Sequence, residues 1–414
     1  MTVIEFFDRD SAVENVVSTL LCVPEKVVFI GSNIKQINKS IKIYQSVAES
    51  RGLKVEFIPK GVNRNNLTVI IETLENIIEE NDDCVIDLSG GDELYLVAVG
   101  AVYEKYADRI KLHRFNINNG TMIDCDADGS LCASRPMQLS VEENIAVYGG
   151  RVIYDNEKTN ATYNWSFDKE FRRDVHSMWA VCQKNASLWN AQINTVSMLC
   201  SVYLNKEALS LSVDVERAKN LFAAKKSKVV FEREIFTALE KAGVIENLSM
   251  SRERFGFKFK NEQIMKCLTK AGQLLELIIS VTAIELSDEN SNAVYNDVKC
   301  GVYIDWDGVV QTDGKPDVEN EMDVILMKGM VPVFISCKNG LVDTDELYKL
   351  SVVAQRFGGK FVRKVLVASE LDEMGFRGEY IRARAADMGI TVVENVDEMS
   401  EEKLERKISN FWKS

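Results

Sequence analysis

Short apolar runs alternate with amphipathic stretches through the first 145 or so residues, and this alternation constrains the fold more than any other feature of the chain. "VIEFF" precedes "SAVENVVSTLLC", "KVVFIGS" precedes "KQINKSIKIYQSVAESRG", and "KVEFIPK" precedes "NLTVIIETLENIIEE". "CVIDLSGG" leads into "DELYLVAVGAVYEKYA", and "KLHRFNI" and "TMIDCD" close the region. Runs apolar at nearly every position are buried on both faces, which is what parallel strands under two layers of helix require. The expected class is α/β, with a Rossmann-like domain over residues 1–150.

Beyond it the pattern changes twice. "GGRVIYDNEK" is a candidate strand and "FDKEFRRDVHSMWAVCQKNASLWNAQINTVSMLCSVYL" reads as helical. "FEREIFTALEKAGVIENLSMSRERFGFKFKNEQIMKCLTKAG" gives a helix, two short β runs around a polar turn and a further helix, a winged-helix-like order for residues 151–268. Its bland reading is a spacer or dimer contact. Its functional reading is DNA binding, with "RAKNLFAAKKSK" as the basic stretch to inspect. From 269 to 414 a long helix, "AGQLLELIISVTAIELS", leads into β runs at "CGVYIDW", "EMDVILM" and "VPVFISCK". Helix "TDELYKLSVVAQRFGG", strand "KVLVAS", helix "EYIRARAADMG" and strand "TVVENV" follow.

Composition narrows the chemistry. With 414 residues the chain is long enough for two or three domains. Its start lacks the basic-then-apolar pattern of a signal peptide and no apolar run spans a bilayer, so a cytoplasmic protein without a membrane partner is expected. Nine cysteines without a CxxC pair read as small buried hydrophobes. Only two histidines, His113 and His176, are present, which disfavours a His-rich zinc centre and a Ser-His-Asp triad. Carboxylates and lysines are left as the chemical groups. A net charge of −13 means that nucleic acid must meet a local basic patch or a metal ion.

Such groups converge in "NEMDVILMKGMVPVFISCKNG", residues 320–340. Two adjacent strands that set a carboxylate, Asp323, beside a lysine, Lys338, can hold a divalent ion against a phosphodiester. The upstream helix offers Glu276. In order, Glu276, "NEMDV", "FISCKNG", "ELYKL" and "RFGGK" resemble the PD-(D/E)xK nuclease superfamily, and more narrowly the nuclease half of CRISPR-associated ancillary nucleases that carry a CARF sensor domain. The resemblance implies that Asp323 and Glu276 bind Mg²⁺ or Mn²⁺ and that Lys338 is the catalytic lysine. Ser336 departs from that pattern, standing where a second carboxylate is usual. Three readings follow. Glu276 or Glu321 supplies the missing charge, with the Cys337 carbonyl as a further ligand; Ser336 ligates through its hydroxyl; or the site is inactive.

At the other end, "IGSN" and "DLSGGDEL" close strands and open helices, where backbone N–H groups and the helix dipole favour an anion. Neither is GxGxxG and no Walker lysine is present. "IEFFDRDSAVENVVSTLL", "VVFIGSN" and "IDLSGGDELYLVAVGA" resemble the CARF domain of the same nucleases. That resemblance implies a homodimer binding cyclic oligoadenylate, cyclic tetra-adenylate in particular, with Ser32, Asn33, Ser89, Gly90, Gly91 and Asp92 against the ring. It also implies a nucleic-acid substrate: single-stranded DNA, RNA or nicked duplex. Because a carboxylate repels phosphate, Asp92 is expected on a base or ribose hydroxyl, or as a helix cap. "DCDADGSLCASR" imitates half a calcium loop (Asp124, Asp126, Asp128, Gly129), but its twelfth position is Arg135, and it reads as a hairpin turn. The leading function is a ligand-switched, metal-dependent endonuclease of antiviral CRISPR defence. The alternatives are a ligand-responsive DNA-binding regulator with a silent nuclease fold and a scaffold that only sequesters the ligand.

Overall fold

The computed structural model describes residues 1–117, 120–125, 136–158, 160–224, 229–311, 317–369, 371 and 374–413. Most of the calcium-loop imitation (Asp126, Asp128, Gly129, Arg135) and the lysines of the basic stretch at 225, 226 and 228 lie outside the described residues.

Six strands build the first sheet: β1 (Thr2–Phe6), β2 (Lys26–Gly31), β3 (Glu56–Gly61), β4 (Cys84–Asp87), β5 (Ile110–Asn116) and β6 (Thr121–Asp124). Their order is β3-β2-β1-β4-β5-β6, parallel except for β6. Helices α1 (Glu14–Cys22), α2 (Ile34–Ser50), α3 (Leu67–Glu79) and α4 (Glu93–Tyr106) cover both faces. The order reverses at β1, so the loops after β1, β2 and β4 open a crevice at the carboxyl edge, where such sheets take ligands. Helix α5 (Val141–Val147) follows, with a Ser140–Glu143 capping box.

Strand β7 (Arg151–Val152) comes from "GGRVIYDNEK" and pairs antiparallel with the C-terminal sheet, Val152 opposite Ile304. Residues 151–152, grouped by sequence with the middle segment, thus satisfy an otherwise open edge of the last sheet. The middle contains α6 (Lys169–Gln183), α7 (Ala186–Tyr203), β8 (Leu204–Asn205), β9 (Ser210–Asp214), α8 (Val215–Ala224), α9 (Arg233–Lys241), β10 (Ile245–Met250), β11 (Arg254–Phe259) and α10 (Glu262–Cys267). Its sheet is antiparallel, order β10-β11-β9-β8. Phe255, Phe257 and Phe259 alternate along β11 and bury on one face, where Phe236 of α9 meets the first two edge-on or tilted.

The last unit is α11 (Gln273–Glu285), β12 (Asp297–Asp305), β13 (Glu319–Lys328), β14 (Val331–Lys338), α12 (Thr344–Gly358), β15 (Arg363–Ala368), α13 (Phe376–Asp387), β16 (Ile390–Val393) and α14 (Glu401–Ile408). Its sheet runs β16-β15-β14-β13-β12-β7, with an antiparallel β12–β13–β14 meander and a parallel crossover to β15 and β16. One apolar core runs without interruption from Val3, Phe29 and Tyr44 of the first unit to Met322, Phe334 and Phe357 of the last. Polar ties reinforce it: Asn144 Nδ2 donates to the Phe357 carbonyl at 2.7 Å, and Lys360 lies 2.5 Å from Glu14 of α1. No helix among the described residues is long and apolar enough to cross a membrane.

Candidate active site and ligand crevice

Helix α11 starts after Gly272, and its first turn carries Glu276 into the protein, where only 6% of the residue remains exposed. Gln273, one turn earlier, donates Nε2 to Glu276 Oε2 at 2.9 Å. Strand β12 faces this carboxylate with Gly301. The β12–β13 register places Gly301 opposite Asp323, between the pairs Val302–Met322 and Cys300–Val324. Gly301 has φ +61°, a left-handed conformation that costs glycine little, and a Cβ there would stand 3.8 Å from Glu276 Oε2. At that distance a Cβ would make only ordinary contact, so it is the left-handed backbone beside Glu276, not lack of space, that calls for glycine here.

Across β13 the ladder with β14 ends at Val324–Ile335. One residue further the strands part, and the Asp323 carboxylate fills the gap. Its Oδ2 accepts the Cys337 N–H at 2.6 Å and the Ser336 hydroxyl at 3.2 Å. Ser336 is buried and serves as a neutral donor to Asp323 where a second acid would have stood. Cys337 turns its side chain into the core, and burial holds its thiol well above the ordinary value, so its sulfur is not a ready anionic ligand.

Charge is distributed unevenly over this cluster. Burial, reinforced by Asp323 and Glu321 and opposed by Lys270, raises Glu276 to about 8. Burial also raises Asp323, against the Cys337 N–H and the Lys338 ammonium. Glu321 points the same way but ends below the usual carboxylate value: burial would raise it, and Lys270, 2.6 Å away, together with the Tyr303 hydroxyl, outweighs that. Burial disfavours the Lys338 charge, yet Asp323 and Glu346 outweigh it and keep the ammonium above the ordinary lysine value; Glu346 lies 3.0 Å away. Lys338 is thus a cation at neutral pH, suited to holding negative charge rather than abstracting a proton.

Two desolvated, mutually repelling carboxylates beside a third are an oxygen donor set that a hard divalent cation relieves, and in chemistry they fit Mg²⁺ or Mn²⁺. Among the described residues no three His, Cys, Asp or Glu groups are already gathered at ion-binding distance. The sequence singled out Asp323, Lys338 and Glu276, and the fold brings them to one place. It adds Lys270, Gln273, Gly301 and Glu346. Glu346, in the first helical turn after the lysine, carried the clearest signal that could have been read.

In the crevice of the first sheet, Ser32, Gly91 and Asp92 are exposed. Gly90 and Gly91 pack against the end of β1: a Cβ would come 2.9 Å from the Phe6 carbonyl oxygen at Gly90, and 2.7 Å from Phe6 Cβ at Gly91, whose φ is +99°. Two other predicted residues are already engaged. Asn33 caps α2 by accepting the Gln36 N–H at 3.1 Å. The Ser89 hydroxyl donates to Asp87 and accepts the Phe115 N–H at 2.8 Å. Asp92 holds the cap position of α4 without a side-chain cap bond, and its carboxylate lies 3.6 Å from Arg64, a crevice residue the sequence reading missed.

These parts together make a Rossmann-like unit joined through a winged-helix-like segment to a second mixed α/β unit. No protein-family model matches the chain, and no curated protein matches it in sequence. Among solved structures, protein VC1899 from Vibrio cholerae matches with TM-score 0.71 and 16% identity, covering 100% of this chain and 98% of that one. Can2 from Sulfobacillus thermosulfidooxidans, solved in complex with cyclic tetra-adenylate, matches with TM-score 0.64 and 14% identity, covering 100% and 99%. At these identities the likeness is one of fold.

Proposed function

We propose that this chain is a metal-dependent endonuclease switched on by cyclic oligoadenylate, cyclic tetra-adenylate in particular, acting as a cytoplasmic homodimer in antiviral CRISPR defence. The observation that carries the reading is the convergence of half-buried Asp323 and buried Glu276 with the Lys338 cation at the split between β13 and β14. Asp323 and Glu276 would hold Mg²⁺ or Mn²⁺, with the Cys337 carbonyl as a further ligand. When bound, the ion supplies charge stabilisation at the phosphate and a more acidic water. Lys338, steadied by Glu346, offsets the negative charge that builds on the phosphate oxygens. Ser336 orients Asp323 through its hydroxyl.

The whole-chain likeness to Can2, which was solved with cyclic tetra-adenylate, supports the ligand. The ring would lie on Ser32, Asn33, the 89–92 loop and Arg64, across a two-fold axis. A polar route leads from there toward the nuclease strands. Ser89 and Ser18 both donate to Asp87; Glu14 lies one turn before Ser18 on α1; and Glu14 pairs with Lys360, just ahead of β15. Strand β15 flanks the strand of Lys338, with Ala368 beside it. Ligand binding that moves the 89–92 loop would reach the site by this route.

The neutral Ser336 favours a second reading, a ligand-responsive DNA-binding regulator acting through its winged-helix-like segment. Asp323→Ala distinguishes the two. Ligand-triggered cleavage by the wild type that disappears in the variant supports the nuclease; cleavage that survives the change refutes the assigned site. Ligand-dependent duplex binding without cleavage in either metal would favour the regulator.

A further inference from the structure

The turn before α11 carries a lysine into the acid cluster. Lys270 stands between α10 and α11, where the winged-helix-like segment hands the chain to the last unit, and its Nζ lies 2.6 Å from Glu321 Oε1. Glu321 shares a strand face with Asp323, two residues on. Tyr303 stands opposite Glu321 in the β12–β13 ladder and its hydroxyl bonds the same carboxylate, which Lys349 of α12 attracts more weakly than Lys270 does. The Lys270 ammonium also faces Glu276. Burial disfavours its charge, and Glu276, then Glu321, outweigh that and hold it above the ordinary lysine value.

The acids of the cluster are thus unequally engaged. Asp323 accepts the Cys337 N–H and the Ser336 hydroxyl, and Glu276 accepts Gln273. Among the described residues, Glu321 is the one of the three in ion-pair contact with a lysine. Ser336 leaves the site one acid short, and Glu321 lies on the right strand face to make that up, but its charge is already matched by Lys270. An ammonium and a divalent cation facing one carboxylate in partly desolvated surroundings repel each other. This gives a physical reason why no three such groups are gathered at ion-binding distance among the described residues.

Lys270 is able to leave. Its side chain is 46% exposed, so an ammonium released from Glu321 returns to water at little cost. Two residues on, Gly272 has φ +86° and a Cβ built there would meet nothing within 4 Å, so the turn is not packed in at that point.

We infer that Lys270 is a built-in competitor for the metal site: its ammonium holds Glu321 out of the ligand set, and Glu321 joins Asp323 and Glu276 as a third carboxylate only when Lys270 lets go. Resting on the metal-binding reading of Asp323 and Glu276, this supplies the acid that Ser336 lacks and makes the turn before α11 a brake on ion binding.

The test is Mn²⁺ titration of the full-length protein without nucleic acid, free Mn²⁺ being read from its electron paramagnetic resonance signal. Lys270→Met and Lys270→Gln should each tighten Mn²⁺ binding on the order of tenfold, from the loss of ammonium–dication repulsion. Lys270→Arg keeps the charge and should bind like wild type. Glu321→Gln should bind more weakly, and adding Lys270→Met to it should restore little, because the lysine acts through that carboxylate. Unchanged or weaker affinity in Lys270→Met and Lys270→Gln overturns the inference. So does a gain that persists in full beside Glu321→Gln, which would make Lys270 part of the general field of the site. Failure of the metal reading looks different: wild type, Asp323→Ala and the Lys270 variants would all take up Mn²⁺ equally weakly, and the brake falls with the site. Failure of the nuclease reading is separate again, as protein that shows the Lys270 effect, which upholds the brake, yet cuts no nucleic acid with metal and cyclic tetra-adenylate present.

Discussion

Glu276→Gln tests the electrostatics of the site without requiring turnover. In the folded protein Glu276 titrates at about 8, against 4.5 for an ordinary glutamate, because it is buried beside Asp323 and Glu321. The sign follows from proton binding. Between these two values the folded state holds a proton that the unfolded chain has released, so stability falls as pH rises through the window. At about 1.4 kcal/mol per unit, the loss across the window is on the order of 4–5 kcal/mol. Glutamine keeps the shape and the acceptor for Gln273 but cannot ionise. Thermal melts of wild type and variant from about pH 4.5 to about 9 should start close together and diverge. The variant should be the more stable by about 5 °C at the alkaline end. Divalent ion added there should stabilise the wild type and close part of the gap. Parallel melting curves across the range would mean that Glu276 is solvated or compensated in a way this geometry does not contain.

Three further substitutions address neighbouring residues. Ser336→Asp puts a second acid against Asp323; it should destabilise metal-free protein by about 3 kcal/mol and enlarge the thermal stabilisation by Mn²⁺, and a variant as stable as wild type without metal contradicts this. Ser89→Ala strips Asp87 of a donor and leaves the Phe115 N–H unpaired, costing about 1–3 kcal/mol in denaturant melts, with Ser89→Thr recovering most of it. Gly301→Ala forces a side chain into the left-handed region beside Glu276; a loss of about 1–2 kcal/mol together with weaker Mn²⁺ stabilisation is expected, and an unaffected metal response would separate Gly301 from the site.

Much of this was legible from sequence because it depends on local pattern. The apolar runs of β1, β2 and β4 are buried on both faces and therefore carry no alternation, and they specify the parallel sheet directly. Asp323 and Lys338 sit on consecutive strands of a short hairpin, so their proximity follows from strand length alone. What was missed depends on long-range register. Gly301 matters because it falls opposite Asp323, and nothing in "KCGVYIDW" announces that pairing. Lys270 lies in a turn fifty-one residues from Glu321, and only the packing of α11 on the sheet joins them. The same limit applies at the crevice. Ser89 could be placed at a strand end, but that its hydroxyl is committed to Asp87 and the Phe115 N–H follows only from α1 and β5 being in position.

Cleavage measured with metal and messenger varied independently tests the central claim most directly. Wild-type protein and Lys338→Ala would be incubated with single-stranded DNA, single-stranded RNA and supercoiled plasmid, in Mg²⁺, Mn²⁺ or chelator, with and without cyclic tetra-adenylate. The account predicts cutting by the wild type only when metal and cyclic tetra-adenylate are both present, and none by Lys338→Ala. Tight binding of the messenger with no cleavage in any combination would contradict it and leave a sensor whose nuclease fold is silent.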